Sequence, residues 1–162
     1  MRTLPRAELA RFGTPPKPSA WWRLPQDARV RLGAIACALG WFGESELVVW
    51  RSGDWPHADW VDNDDDSSVV EFEIMRGVGA PVGTDALIEA GADDYPAVLT
   101  LAYCAVSLGW APPHDLHVFA PQLGALVTLT HHDSLGVGSV DPQRVESLRA
   151  QISEFGAELL NR

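Results

Sequence analysis

The chain has 162 residues, of which 46% are hydrophobic and 21% charged, and its formal net charge is −10. This composition predicts one globular domain with a buried core and disfavours both solenoid repeats and a disordered chain. The negative charge also disfavours nucleic acids and anionic membranes as partners, because binding to phosphates requires a basic surface.

The N-terminal residues 1–20 differ in character from the rest of the chain. Residues from Arg6 to Phe12 predict a short helix, and the segment from Thr14 to Pro18 contains three prolines, which favour an extended backbone. We therefore predict an extended N-terminal arm at residues 1–20 and a single globular domain at residues 21–162.

Hydrophobic spacing predicts the first helix of that domain at residues 25–39. Its apolar positions recur at steps of four and three, with Arg29 and Arg31 facing away from them. These apolar positions are Ala28, Leu32, Ile35 and Leu39, continued by Phe42. Residues 46–51 then combine β-branched and aromatic side chains, which predicts a strand.

The middle of the chain predicts one strand and one short helix. Residues 69–75 alternate apolar and acidic side chains, which indicates a half-buried strand with a solvent-facing acidic side. Thr84 is a suitable N-cap for a brief helix that extends to about Ala90 and ends at Gly91.

The C-terminal half predicts a buried helix followed by a meander. The run from Tyr95 to Leu108 is apolar on nearly every side, as expected of a helix in the centre of a domain. Three strands follow at about residues 116–119, 125–131 and 135–137, and their short connections favour antiparallel pairing.

A last helix is predicted to begin with Asp141 as N-cap and Pro142 in its first turn. Its apolar stripe comprises Val145, Leu148, Ile152, Phe155 and Leu159. Together these elements predict the α+β class, with an antiparallel sheet of about four to six strands and the helices packed against it. A βαβ arrangement with parallel strands is the alternative.

Charge is distributed unevenly along the chain. Residues 1–51 hold eight Lys or Arg against four Asp or Glu (net +4), whereas residues 52–162 hold four against eighteen (net −14). Exposed tryptophan beside carboxylates is typical of a surface that attracts Lys and Arg. We therefore predict a partner-binding surface made of Trp55, Asp59, Trp60, Asp62, Asp64, Asp65, Asp66, Glu71 and Glu73.

The acidic run has two other interpretations. One is a solvated acidic loop without a partner. The other is a calcium loop, since Asp62, Asp64 and Asp66 occupy positions 1, 3 and 5 of a twelve-residue segment that ends at Glu73. Against calcium, position 6 is Ser67 where the loop needs glycine. We predict no metal and no cofactor.

The only cluster in the sequence that resembles a metal site or a general-base site is His131, His132 and Asp133. One hairpin earlier lie His114, Asp115 and His117. Adjacent strand residues point to opposite faces, so both histidines bind one ion only if a turn begins between them. A small hydrolase, metal-dependent or using a general base at this cluster, is therefore the alternative to a binding protein. No catalytic residue is predicted for the preferred interpretation.

The acidic, tryptophan-rich character of the chain, with residues 116–119 leading by a turn into residues 127–133, resembles the bacterial immunity proteins that neutralise polymorphic toxins. This resemblance implies tight binding of a cognate toxin domain. A separate possibility is a structural or adaptor subunit that binds another basic protein. It implies no particular functional residue.

The two cysteines, Cys37 and Cys104, lie in apolar stretches typical of buried free thiols, which favours a reducing compartment. The sequence shows neither an export signal nor an apolar run long enough to span a membrane. We therefore expect a cytoplasmic protein.

Overall fold

The computed structural model describes residues 1–53, 73–74, 76–79, 86–107 and 114–161, with only the backbone described at Gly53 and His114. The fold is of the α+β class, with one antiparallel sheet, as predicted. The order of strands across the sheet is β1-β4-β3-β5-β6-β7-β2-β8. The strands are Arg2–Pro5 (β1), Ala20–Arg23 (β2), Leu47–Gly53 (β3), Ala86–Ala90 (β4), His114–Ala120 (β5), Ala125–Thr130 (β6), Ser134–Ser139 (β7) and Glu158–Leu160 (β8).

Eight strands are more than the predicted four to six, because short strands extend both sides of the predicted meander. At one edge β1 pairs with β4, so Arg2–Pro5 belongs to the sheet although residues 1–20 were expected to form an arm. At the other edge β2 lies between β7 and β8. These strands have three to five residues each, too few for a periodic signal.

The prediction of a brief helix from Thr84 to Ala90 is wrong for its described residues, because Ala86–Ala90 forms β4. This strand pairs with β1 on one side and β3 on the other. Within β4 the adjacent residues Leu87 and Ile88 are both buried, and they belong to different hydrophobic clusters. Burial on both faces of a sheet therefore overrides the local helix signal.

The first helix comprises Ala28–Gly40 and is capped by Asp27, whose carboxylate accepts hydrogen bonds from the backbone N–H of Arg29 and Val30. Its predicted apolar stripe is only partly correct. Leu32 is 39% exposed, whereas Arg31, predicted to face away, is 7% exposed. The buried side of this helix comprises Arg31, Ala34, Ile35, Ala38 and Leu39.

Two further helices confirm predicted elements. The central helix, Tyr95–Ser107, buries side chains on several sides. The C-terminal helix, Pro142–Ser153, begins as predicted, with the Asp141 carboxylate accepting from the Gln143 N–H at 3.0 Å. It ends before the predicted Leu159, because Gly156 adopts a left-handed φ of 71° and the chain then continues into β8.

The two faces of the sheet are covered differently. The first, central and C-terminal helices pack on one face and enclose the main core, which includes Val49, Val118 and Val127. On the other face a second cluster around Trp50 packs against Leu9 and Phe12 of the 3-10 helix Arg6–Phe12. That second face also carries the polar side chains of Ser52, His117 and Thr128.

Candidate functional site

Of the nine residues predicted to bind a partner, only Glu73 is among the described ones. It is exposed and its carboxylate lies 2.8 Å from the Arg76 guanidinium. Glu73 and Ile74 are helical, so the strand predicted at residues 69–75 is wrong for these two residues. Outside the described residues lie Trp55, Asp59, Trp60, Asp62, Asp64, Asp65, Asp66 and Glu71, together with the rest of the proposed calcium loop.

We refer to residues 54–72 as the acidic segment. It contains seven acidic side chains and no Lys or Arg, so its formal charge is −7. The acidic side chains are Asp54, Asp59, Asp62, Asp64, Asp65, Asp66 and Glu71. Many described arginines already pair with described carboxylates: Arg2 with Glu89, Arg11 with Glu8, Arg23 with Glu158, Arg31 with Asp133, Arg76 with Glu73 and Arg149 with Glu146.

The chain enters the acidic segment from the end of β3. Ser52 and Gly53 lie there opposite Asp115 and His114 at the start of β5. The turn after β6, which contains His131, lies at the same end of the sheet, because β5 and β6 are antiparallel neighbours. We call this region, defined by Ser52, Asp115, His117, Thr128 and His131, the polar end of the sheet.

The imidazole of His117 links two strands through both ring nitrogens. Its Nε2 lies 2.6 Å from Ser52 Oγ on β3, and its Nδ1 lies 3.0 Å from Thr128 Oγ1 on β6. The indole ring of Trp50 stacks on it, with 5.0 Å between ring centroids. The Arg6 guanidinium lies over the same indole, 5.0 Å from its centroid. The imidazole is therefore fixed in position and orientation.

Burial lowers the pKa of His117 from 6.5 to about 4, since the low-polarity surroundings penalise the charged ring. The Asp115 carboxylate opposes this effect and raises the pKa, while the positive charge of Arg6 lowers it further. His117 is therefore neutral at pH 7. One ring nitrogen donates a hydrogen bond and the other accepts one.

The predicted neighbours His131, His132 and Asp133 do not act as one unit. The strand β6 ends at Thr130 and all three residues lie in the turn. His131 Nδ1 lies 3.0 Å from a carboxylate oxygen of Asp115, not of Asp133. The rings of His131 and His132 are 3.8 Å apart between centroids. Within the described ranges, no group of three His, Cys, Asp or Glu side chains is arranged to hold a metal ion.

Asp133 instead belongs to a structural network around Arg31. The Arg31 guanidinium lies 3.1 Å from the Asp133 carboxylate and donates to the carbonyl oxygens of Val106 and Pro25 at 2.9 and 2.8 Å. Asp133 adopts a left-handed φ of 56°, and its own carbonyl accepts from the Leu24 N–H. This network joins the first helix, the central helix and the turn after β6.

Sequence reasoning missed the contact between Ser52 and His117. Alternation along a strand places Trp50 and Ser52 on one face, and likewise Asp115 and His117. That signal was available. The pairing of β3 with β5 could not be predicted from the sequence, because β4 and the central helix lie between these two strands along the chain. Trp50, one of three evenly spaced tryptophans, is 6% exposed and packs in the second cluster.

Comparisons with protein-family models, curated proteins and solved structures find no match to this chain. In the part of the chain that the structure describes, none of the helices has the length and apolar character that crossing a bilayer requires.

Proposed function

We propose that this protein is an acidic binding protein that neutralises a cationic protein partner. The observation that supports this proposal is the charge of the acidic segment, where seven carboxylates occur without one Lys or Arg. A cationic partner would gain attraction from these carboxylates, and its association would be accelerated by electrostatic steering.

The ion pairs of the described residues support the same conclusion. Six arginines are already matched with carboxylates elsewhere in the molecule, as given above. Because the chain carries ten more acidic than basic side chains, a large negative surplus remains whatever further internal pairs form. His117 adds no compensating positive charge near the start of the segment, since burial keeps its ring neutral at pH 7.

The specific role that we propose is that of an immunity protein, which binds a cognate toxin domain and blocks it. Contacts would come from the acidic segment, with Trp55 and Trp60 as aromatic anchors beside the carboxylates. We also propose a cytoplasmic location. Cys37 and Cys104 are not joined in a disulfide, which fits a reducing compartment.

The experiment begins by isolating the partner with the tagged protein from its native cells and measuring its association rate against salt concentration. Replacing Asp64, Asp65 and Asp66 together by Lys should slow association by on the order of tenfold at low salt and flatten its salt dependence.

A second triple variant makes the same change of net charge elsewhere. Its sites are Glu44, Asp93 and Glu154, which are exposed on the described surface. We expect the second variant to associate almost like the native protein. Equal slowing in both variants would mean that only overall charge matters, and unchanged rates in the first would remove the acidic segment from the interface.

A further inference from the structure

Ser52, His117 and Thr128 are arranged like the three groups of a nucleophilic site. Ser52 takes the place of the nucleophile, His117 that of the base and Thr128 that of the group that orients the base. In such sites the hydroxyl and the base lie within about 2.6–3.2 Å, and a third group fixes the base. Here the Ser52–His117 contact is 2.6 Å and the His117–Thr128 contact is 3.0 Å. Ser52 is half-buried, not enclosed in the core.

We propose that Ser52 is a reactive nucleophile toward acyl or phosphonyl donors, with His117 as its general base. With the ring proton on Nδ1, the imidazole donates to Thr128 Oγ1 and its Nε2 accepts from the Ser52 hydroxyl. When Ser52 Oγ attacks an alkyl fluorophosphonate, the oxygen–phosphorus bond forms and the phosphorus–fluorine bond breaks. Fluoride leaves, and the hydroxyl proton passes to His117 Nε2 and then to water.

The groups that face His117 define how it would respond to pH. Asp115 lies on the same face of β5, two residues away, and favours the protonated ring, whereas Arg6 opposes it. Asp115 also contacts His131. Because a neutral hydroxyl replaces the usual carboxylate as the orienting group, His117 is a weak base. We therefore expect slow single labelling, not rapid turnover.

The test treats the full chain with an alkyl fluorophosphonate and follows labelling by intact mass and peptide mapping. We expect one label, on Ser52, and none in Ser52→Ala. Labelling should fall by on the order of 100-fold in His117→Gln. Thr128→Val should lie between native and His117→Gln, because it frees the ring to adopt the wrong tautomer.

Controls separate a reactive serine from a structural one. Ser147 is exposed and donates to the Arg144 carbonyl, so Ser147→Ala should label like the native protein. Between pH 5.5 and 8.5 the rate should be constant, because His117 remains in its base form throughout. A native chain without label on Ser52, or a labelling rate that falls with an inflection near pH 6.5, would overturn the proposal. Neither result bears on binding by the acidic segment.

Discussion

The buried imidazole of His117 predicts a specific loss of stability in mild acid. In the folded protein its pKa is about 4, against 6.5 for an ordinary histidine. Between these two values the unfolded chain binds a proton that the folded chain does not. The contribution to stability is therefore complete above about pH 6.5 and decreases as the pH falls toward 4.

The magnitude follows from the two pKa values. At pH 5 an unfolded histidine is almost fully charged, while His117 in the folded protein remains about nine-tenths neutral. Each pKa unit corresponds to about 1.36 kcal/mol. Lowering the pH from 7.5 to 5 should therefore reduce the free energy of unfolding by about 2 kcal/mol through His117 alone.

Urea unfolding at both pH values measures this effect. We compare the native protein with His117→Gln, whose side chain does not titrate, and subtract the pH-dependent change in the variant from that in the native protein. The difference should be about 2 kcal/mol. His132→Gln, at an exposed position, is the matched control for the substitution itself and should leave the free energy of unfolding at pH 7.5 nearly unchanged. Identical pH dependence in the native protein and His117→Gln would refute the reasoning.

Two further predictions concern packing. Arg31→Met should lower the free energy of unfolding by about 2–3 kcal/mol, because the buried Val106 carbonyl and the part-buried Pro25 carbonyl lose their donor. Arg29→Met on the exposed side of the same helix should change it by less than about 0.5 kcal/mol. Gly138→Ala should cost at least about 2 kcal/mol, since its Cβ would lie 2.3 Å from the Lys17 carbonyl oxygen. Gly91→Ala, with nothing within 4 Å, should be nearly neutral in the same urea titrations.

Features with a local cause were predictable from sequence. Asp141 and Pro142 start the C-terminal helix as expected, because capping depends only on neighbouring backbone groups. The meander of β5, β6 and β7 was predictable for a similar reason, because strands joined by short turns pair with each other in antiparallel fashion.

Features with a distant cause were not predictable. Arg31 was expected on the outer face of its helix, yet it lies on the buried side and its guanidinium donates to the Val106 carbonyl of the central helix. Likewise, alternation along a strand indicates which side chains share a face with His117 but not which strand pairs with its own. The partner-binding surface was predicted from the pattern of charged and tryptophan residues, and of its nine residues Glu73 alone lies among the described ones.

The placement of β2 has a consequence for how the chain folds. Ala20–Arg23 pairs with Ser134–Val137 and also with β8, so both of its neighbours come much later in the sequence. Formation of these pairs closes a long loop of chain, whereas the local meander closes only short loops and is expected to form first. We therefore expect Trp22, which is fully buried in the folded protein, to become buried after the meander has formed.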